Sequence, residues 1–122
     1  MARKVVPMIH VPDVSATVDW YVSIGFKASD IEELEGEAVW ALLTFGQSEL
    51  MLNAGGKPSG HDRREVDLYA HVDDVDELCT KLKGKVEFVE DLHDTFYGMR
   101  EFTIRDCNRF WVTFGQPVPT VQ

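Results

Sequence analysis

Cysteine is scarce. The 122-residue chain holds two, Cys79 and Cys107, whose spacing suits neither a redox pair nor a thiolate metal site, so both are expected as free thiols. Long apolar runs are missing too. No stretch approaches the roughly 20 residues that cross a bilayer, and the apolar run after Met-Ala-Arg-Lys is too short for a signal peptide. A cytoplasmic location is expected. Positive charge is also in short supply, with 12 Lys and Arg against 21 Asp and Glu and a formal net charge of -9. Such a chain repels nucleic acid and anionic membranes at long range and accommodates a neutral or cationic small ligand more easily. Acidic surface also serves solubility alone.

What is present is ordinary for a folded protein: 44% hydrophobic residues, 27% charged and three Trp, enough for a core. A chain of this length makes a single domain. If it divides, the halves must share a core, since neither buries enough apolar surface alone.

A weak internal repeat decides between these. His10-Val11-Pro12-Asp13-Val14 recurs as His71-Val72-Asp73-Asp74-Val75, 61 residues later, each copy preceded by an apolar run and followed by a helical pattern. In the first copy, Lys4 to Val11 alternates as a strand does. Asp13 then caps a helix with Val14, Val18, Tyr21 and Val22 on one face and Gly25 as its stop. Phe26 to Ile31, Ala38 to Thr44 and Glu49 to Asn53 follow as strands, the last two joined by the Phe45-Gly46-Gln47-Ser48 turn. A glycine-rich connection over 55–65 leads to the second copy: a strand over Val66 to Val72, then a helix with Asp74 and Glu77 as a capping box. Val75, Leu78, Cys79 and Leu82 form that helix's buried stripe and Gly84 ends it, before strands at Val86 to Glu90, Met99 to Arg105 and Arg109 to Phe114. The expected fold is α+β: one domain over 1–122, built from βαβββ modules at 4–54 and 66–117, forming a concave, mostly antiparallel mixed sheet with helices outside.

From Val5 to Pro117 the chain resembles the vicinal oxygen chelate superfamily, which includes glyoxalase I, extradiol dioxygenases, fosfomycin-modifying enzymes and bleomycin-resistance proteins. The residues that carry the resemblance are Val11-Pro12-Asp13-Val14, Trp20-Tyr21 with Ile24-Gly25-Phe26, and Tyr97-Gly98-Met99-Arg100-Glu101-Phe102 leading to Arg105-Asp106. The Tyr97 to Phe102 run looks most like the bleomycin-resistance branch. Where the family's last hairpin usually carries aspartate-proline-aspartate-glycine, this chain has Asp106-Cys107-Asn108-Arg109, so Asn108 is expected to take the positive φ and Arg109 to bear some strain.

Metal-binding members of that superfamily draw four ligands from the first, fourth, fifth and eighth strands. The resemblance places Val6, Met51, Asp67 and Thr113 there. One carboxylate with a thioether and a hydroxyl makes no tight divalent site, so no metal, no cofactor and no catalytic residue is expected. His10 and His71, equivalent in the repeat, face the same way as Val6 and Asp67 and are read as lining or structural groups ahead of a displaced metal pair.

Strand alternation then gives the expected ligand-binding face. Met8 and His10 share one side of the first strand, and Asp67, Tyr69 and His71 share one side of the fifth. Hairpin pairing adds Trp40 and Leu42 beside Met51 and Asn53, and Phe102 and Ile104 beside Trp111 and Thr113. Such a lining suits a planar organic molecule, with Asp67 or Glu49 available to a cation. The resemblance implies a small-molecule binder of the bleomycin-resistance type, acting by sequestration as a homodimer with pockets at the subunit interface. A glyoxalase- or dioxygenase-like metalloenzyme, or a metal-free isomerase or lyase with Asp67 or Glu101 as base, is the alternative.

Overall fold

The computed structural model describes residues 2–119. In chain order the elements are β1 (Met8–His10), α1 (Val14–Ser23), β2 (Lys27–Leu34), β3 (Glu37–Phe45) and β4 (Ser48–Asn53), then β5 (Asp67–His71), α2 (Val75–Leu82), β6 (Glu87–Asp94), β7 (Met99–Arg105) and β8 (Trp111–Pro117). This is the βαβββ order twice, in two compact units that divide after Pro58. Each unit has its own mixed four-stranded sheet, ordered β1-β4-β3-β2 in the first and β5-β8-β7-β6 in the second. The outer pairs β1·β4 and β5·β8 run parallel, because a helix returns the chain between the first strand and the hairpins, and the remaining pairs are antiparallel. Among the described residues no helix is long and apolar enough to cross a membrane.

Alternation builds each core. In the first unit Ile9, Ala41, Leu43, Leu50 and Leu52 are buried, as are Val14, Val18 and Tyr21 of α1. The Tyr21 ring meets Phe26 edge-on at 5.0 Å. In the second, Phe102, Ile104, Val112 and Phe114 are buried, as are Val75, Cys79 and Leu82 of α2, and Phe88, Phe102 and Phe114 stack in succession at 5.4 and 5.2 Å. Burying each large side chain contributes about 1.5–3 kcal/mol.

Asp13 and Asp74 cap their helices, accepting from Ala16 N and Glu77 N at 3.0 Å. The expected box at Asp74 is half formed, because the Glu77 carboxylate pairs with Lys81 one turn on. On α1 it is Thr17, with its hydroxyl on the Asp13 carbonyl at 2.7 Å, that completes the buried face, while Val22 is exposed.

Several strand limits differ from those expected. β1 is three residues rather than the whole of Lys4 to Val11, since Pro7 has no N–H to give; its carbonyl still accepts from Met51 N. β2 runs on past the expected end at Ile31 to Leu34, through an acidic stretch. It then turns back through Glu35 and Gly36, both at positive φ (52° and 82°), the two-residue turn whose twist matches a hairpin. As the edge strand of its sheet, β2 carries Asp30, Glu32 and Glu33, charges that discourage pairing with another chain.

The last hairpin differs most. Asp106 is buried and its carboxylate accepts from Asn108 N at 2.7 Å and Phe110 N at 2.8 Å, while Asp106 N donates to the Phe110 carbonyl at 2.8 Å. This closes a turn over residues 106–110 with Arg105 opposite Trp111, one residue longer than the pairing expected. Phe102 therefore faces Phe114 and Ile104 faces Val112, so both lie in the core and not beside Trp111 and Thr113. A shift of one residue moves every side chain to the other face. The positive φ falls on Arg109 (70°), not on Asn108.

A left-handed non-glycine residue costs about 1–2 kcal/mol, part of which glycine loses again through its freer unfolded chain. Arg109→Gly is accordingly expected to raise the unfolding free energy by about 0.5 kcal/mol, read as a higher urea midpoint at unchanged slope.

Candidate functional site

With one face of each sheet given to the helix-side core, the other is left for side chains of alternate parity. In the first unit it carries Met8 and His10 from β1, Met51 and Asn53 from β4, and Trp40 and Leu42 from β3, in the expected register. Trp40, Leu42 and Met51 are half-buried, Met8 more exposed. Asn53 Nδ2 stands 3.5 Å from His10 Nε2. The linker is pinned beside this strand end: Gly56 N donates to the Val11 carbonyl, and a side chain at Gly56 would run into the His10 carbonyl.

In the second unit the open face carries Asp67, Tyr69 and His71 from β5, Trp111, Thr113 and Gly115 from β8, and Glu101, Thr103 and Arg105 from β7. Of the expected lining, Asp67, Tyr69, His71, Trp111 and Thr113 are brought together here, and Phe102 is not. The register that removes Phe102 delivers Glu101, a buried carboxylate 6% exposed. Tyr69 Oη donates to Glu101 Oε2 at 2.7 Å and Tyr97 Oη to Oε1 at 2.8 Å. Thr103 and Thr113 join hydroxyls at 2.8 Å. Burial first, then the hydrogen bond to Glu101 and its charge, push the Tyr69 phenol well above the usual phenol range. Tyr97 is raised as well, chiefly by its hydrogen bond to the same carboxylate.

At the other end of this face, residues before β5 fold across it. Arg63 grips Asp67 through two nitrogens and lays its guanidinium 4.1 Å from the Trp111 ring centre. Trp111 Nε1 and Arg105 Nε both donate to the Asp62 carbonyl, at 3.1 and 2.9 Å. The carboxylates expected to be open to a ligand cation are thus engaged within the chain, Asp67 by Arg63 and Glu49 by Lys4.

A model of the Glyoxalase/Bleomycin resistance protein/Dioxygenase superfamily matches residues 5–114. The chain belongs to this superfamily. Among solved structures it resembles TioX from Micromonospora sp. ML1, with a TM-score of 0.80 and 24% identity over 96% of this chain and 100% of that one. A glyoxalase/bleomycin resistance protein/dioxygenase from Alicyclobacillus acidocaldarius gives 0.75 and 18% over 94% and 91%. A bleomycin-binding protein, solved in complex with bleomycin, gives 0.72 and 15% over 94% and 98%. At these identities the likeness is one of fold. No curated protein matches the chain.

The positions that the resemblance matches to the superfamily's chelating residues do not fit a metal in this chain, and Val6 offers no donor at all. Met51 offers a thioether, Thr113 a hydroxyl already bonded to Thr103, and Asp67 a carboxylate held by Arg63. Among the described residues no group of three or more His, Cys, Asp or Glu side chains is placed to hold a metal ion.

Glu101, Tyr97 and Gly115 are the site residues that strand parity missed. A Cβ at Gly115 would lie 2.8 Å from Tyr69 Cζ and closer still to its hydroxyl, so only glycine leaves room for the Tyr69–Glu101 bond. Gly115→Ala is expected to expel the Tyr69 phenol, and alkaline absorbance titration should then show one tyrosine returning toward the ordinary range of about 10. The sign for stability follows. The unfolded chain releases this proton near pH ~10 while the fold retains it, so the bond's contribution is complete below that pH and is lost as pH climbs higher.

Proposed function

We propose that this protein binds a small, planar, cationic organic compound and sequesters it, without metal and without altering the bound molecule. The observation that carries this reading is the open face of the first unit, where Met8, Trp40, Leu42 and Met51 leave an apolar and aromatic surface that α1, packed on the opposite side of the sheet, does not cover. Flat rings bind such surfaces by stacking and burial. Trp111 already takes a guanidinium over its ring, an internal instance of the cation–aromatic contact invoked for the ligand. The net charge of -9 draws cations from a distance. A protein of the same fold binds bleomycin, an antibiotic, which supports the fold's suitability for this use.

The functional form is a homodimer in which modules of two chains are apposed and the pockets lie at the subunit interface. Half-exposed apolar side chains on an open sheet face suit such an arrangement, since they gain most from being covered.

Tryptophan fluorescence and thermal shift against bleomycin-type glycopeptides and cationic aromatics test the reading. A stabilising ligand is expected, with Trp40→Ala weakening it about tenfold, or 1.4 kcal/mol. Sedimentation should give a dimer. The absence of stabilisation by every such compound at saturation would exclude the proposal.

A further inference from the structure

On the second unit's open face Glu101 is a buried carboxylate, and its cross-strand neighbour His93 turns its ring nitrogens to Glu90 and to the Asp91 carbonyl instead. Glu49 has Lys4 and Asp67 has Arg63, but among the described residues Glu101 joins no ion pair. It receives only the two phenolic hydrogens, one on each oxygen. Placing a carboxylate in a nearly dry position is costly unless it is paired, and neutral hydrogen bonds recover that cost only in part. An arrangement of this kind is complete when a cation enters.

We propose that Glu101, at the junction of Tyr69 and Tyr97, anchors the cationic group of a small organic ligand on the second unit's open face and that it selects a protonated primary amine; this rests on the binding function proposed above. Each carboxylate oxygen offers two acceptor positions, so one per oxygen stays free after the phenols are bound. At 6% exposure the opening above Glu101 is narrow. A compact ammonium with three donors enters such an opening, whereas a planar guanidinium needs both oxygens presented side by side. The two phenol rings that reach Glu101 are themselves half-exposed and form walls to the approach. They are continued by His71, 5.0 Å from the Tyr69 ring, and by Phe96, 5.1 Å from Tyr97. Aromatic rings grouped around a carboxylate favour a cation over a neutral group. Gly115 makes the arrangement possible, since any side chain there would displace the Tyr69 hydroxyl.

The test compares three probes of one shape on the full-length protein by two-dimensional NMR titration: naphthylmethylamine, its neutral alcohol counterpart, and its trimethylammonium derivative. Wild type is expected to bind the primary amine about tenfold more tightly than either of the others, and Glu101→Gln to abolish that preference while still binding the alcohol. Tyr97→Phe keeps the carboxylate and frees a further acceptor position on Oε1, so there the preference persists. Should Glu101→Gln fail to fold, the side-chain carboxyl carbon resonance of Glu101 in wild type decides: it must move with the amine and stay still with the alcohol. Equal affinity for amine and alcohol, equal affinity for amine and trimethylammonium, or a preference that survives Glu101→Gln overturns the anchor and leaves the binding function standing. Failure of all three probes to bind removes both.

Discussion

The Asp106 carboxylate, by holding the N–H groups of Asn108 and Phe110, fixes where the last turn closes. Strand side chains alternate, so the position of that closure assigns every residue of β7 and β8 to one face or the other. With Arg105 opposite Trp111, the helix side receives Phe102, Ile104, Val112 and Phe114, and the open side receives Glu101, Thr103, Thr113 and Gly115. A turn one residue shorter would bury Glu101 against α2 and leave Phe102 in solvent. Two buried phenylalanines, at about 3–5 kcal/mol each when truncated, outweigh the strain of about 1–2 kcal/mol that Arg109 accepts in its left-handed conformation. The core thereby enforces the register, and the register places the site.

The architecture was legible for reasons that are local. A duplicated strand, an aspartate cap and an amphipathic helix leave their marks in consecutive residues, and the copies at His10 and His71 lie at the same strand end in both sheets. Turns were less legible. Glu35-Gly36 lies beyond the strand expected to end at Ile31, and both residues are at positive φ. At 106–110 the letters leave the length of the turn open, and the decision is made by which face can bury Phe110 and Phe102.

The candidate site was legible wherever its pairing did not depend on that turn. Met8, His10, Trp40, Leu42 and Met51 share an open face, as do Asp67, Tyr69, His71, Trp111 and Thr113. Phe102 was misplaced, and Glu101 was considered only as a base. Charge state could not be read at all. Asp67 looks open in the sequence, yet the arginine four residues before it takes it, and the same guanidinium lies on the Trp111 ring. Those pairings depend on how residues 61–63 lie across the sheet, and they carry no periodicity.

The two modules also divide their chemistry by position. In the first, His10, Asn53 and Trp40 stand in one row across β1, β4 and β3; in the second the same row is His71, Gly115 and Glu101. One row over, Met8, Met51 and Leu42 correspond to Tyr69, Thr113 and Thr103. The duplication therefore keeps the histidine and exchanges its neighbours. Where the first module sets an indole, the second sets a carboxylate, and where the first has the side chain of Asn53, the second has the empty space at Gly115 that admits a phenol from the adjacent row. An apolar face offers contact area and little orientation, whereas a charged group held by two hydroxyls offers orientation and little area. The repeat thus carries two different chemistries at equivalent places, apolar contact area in the first module and a hydroxyl-held carboxylate in the second.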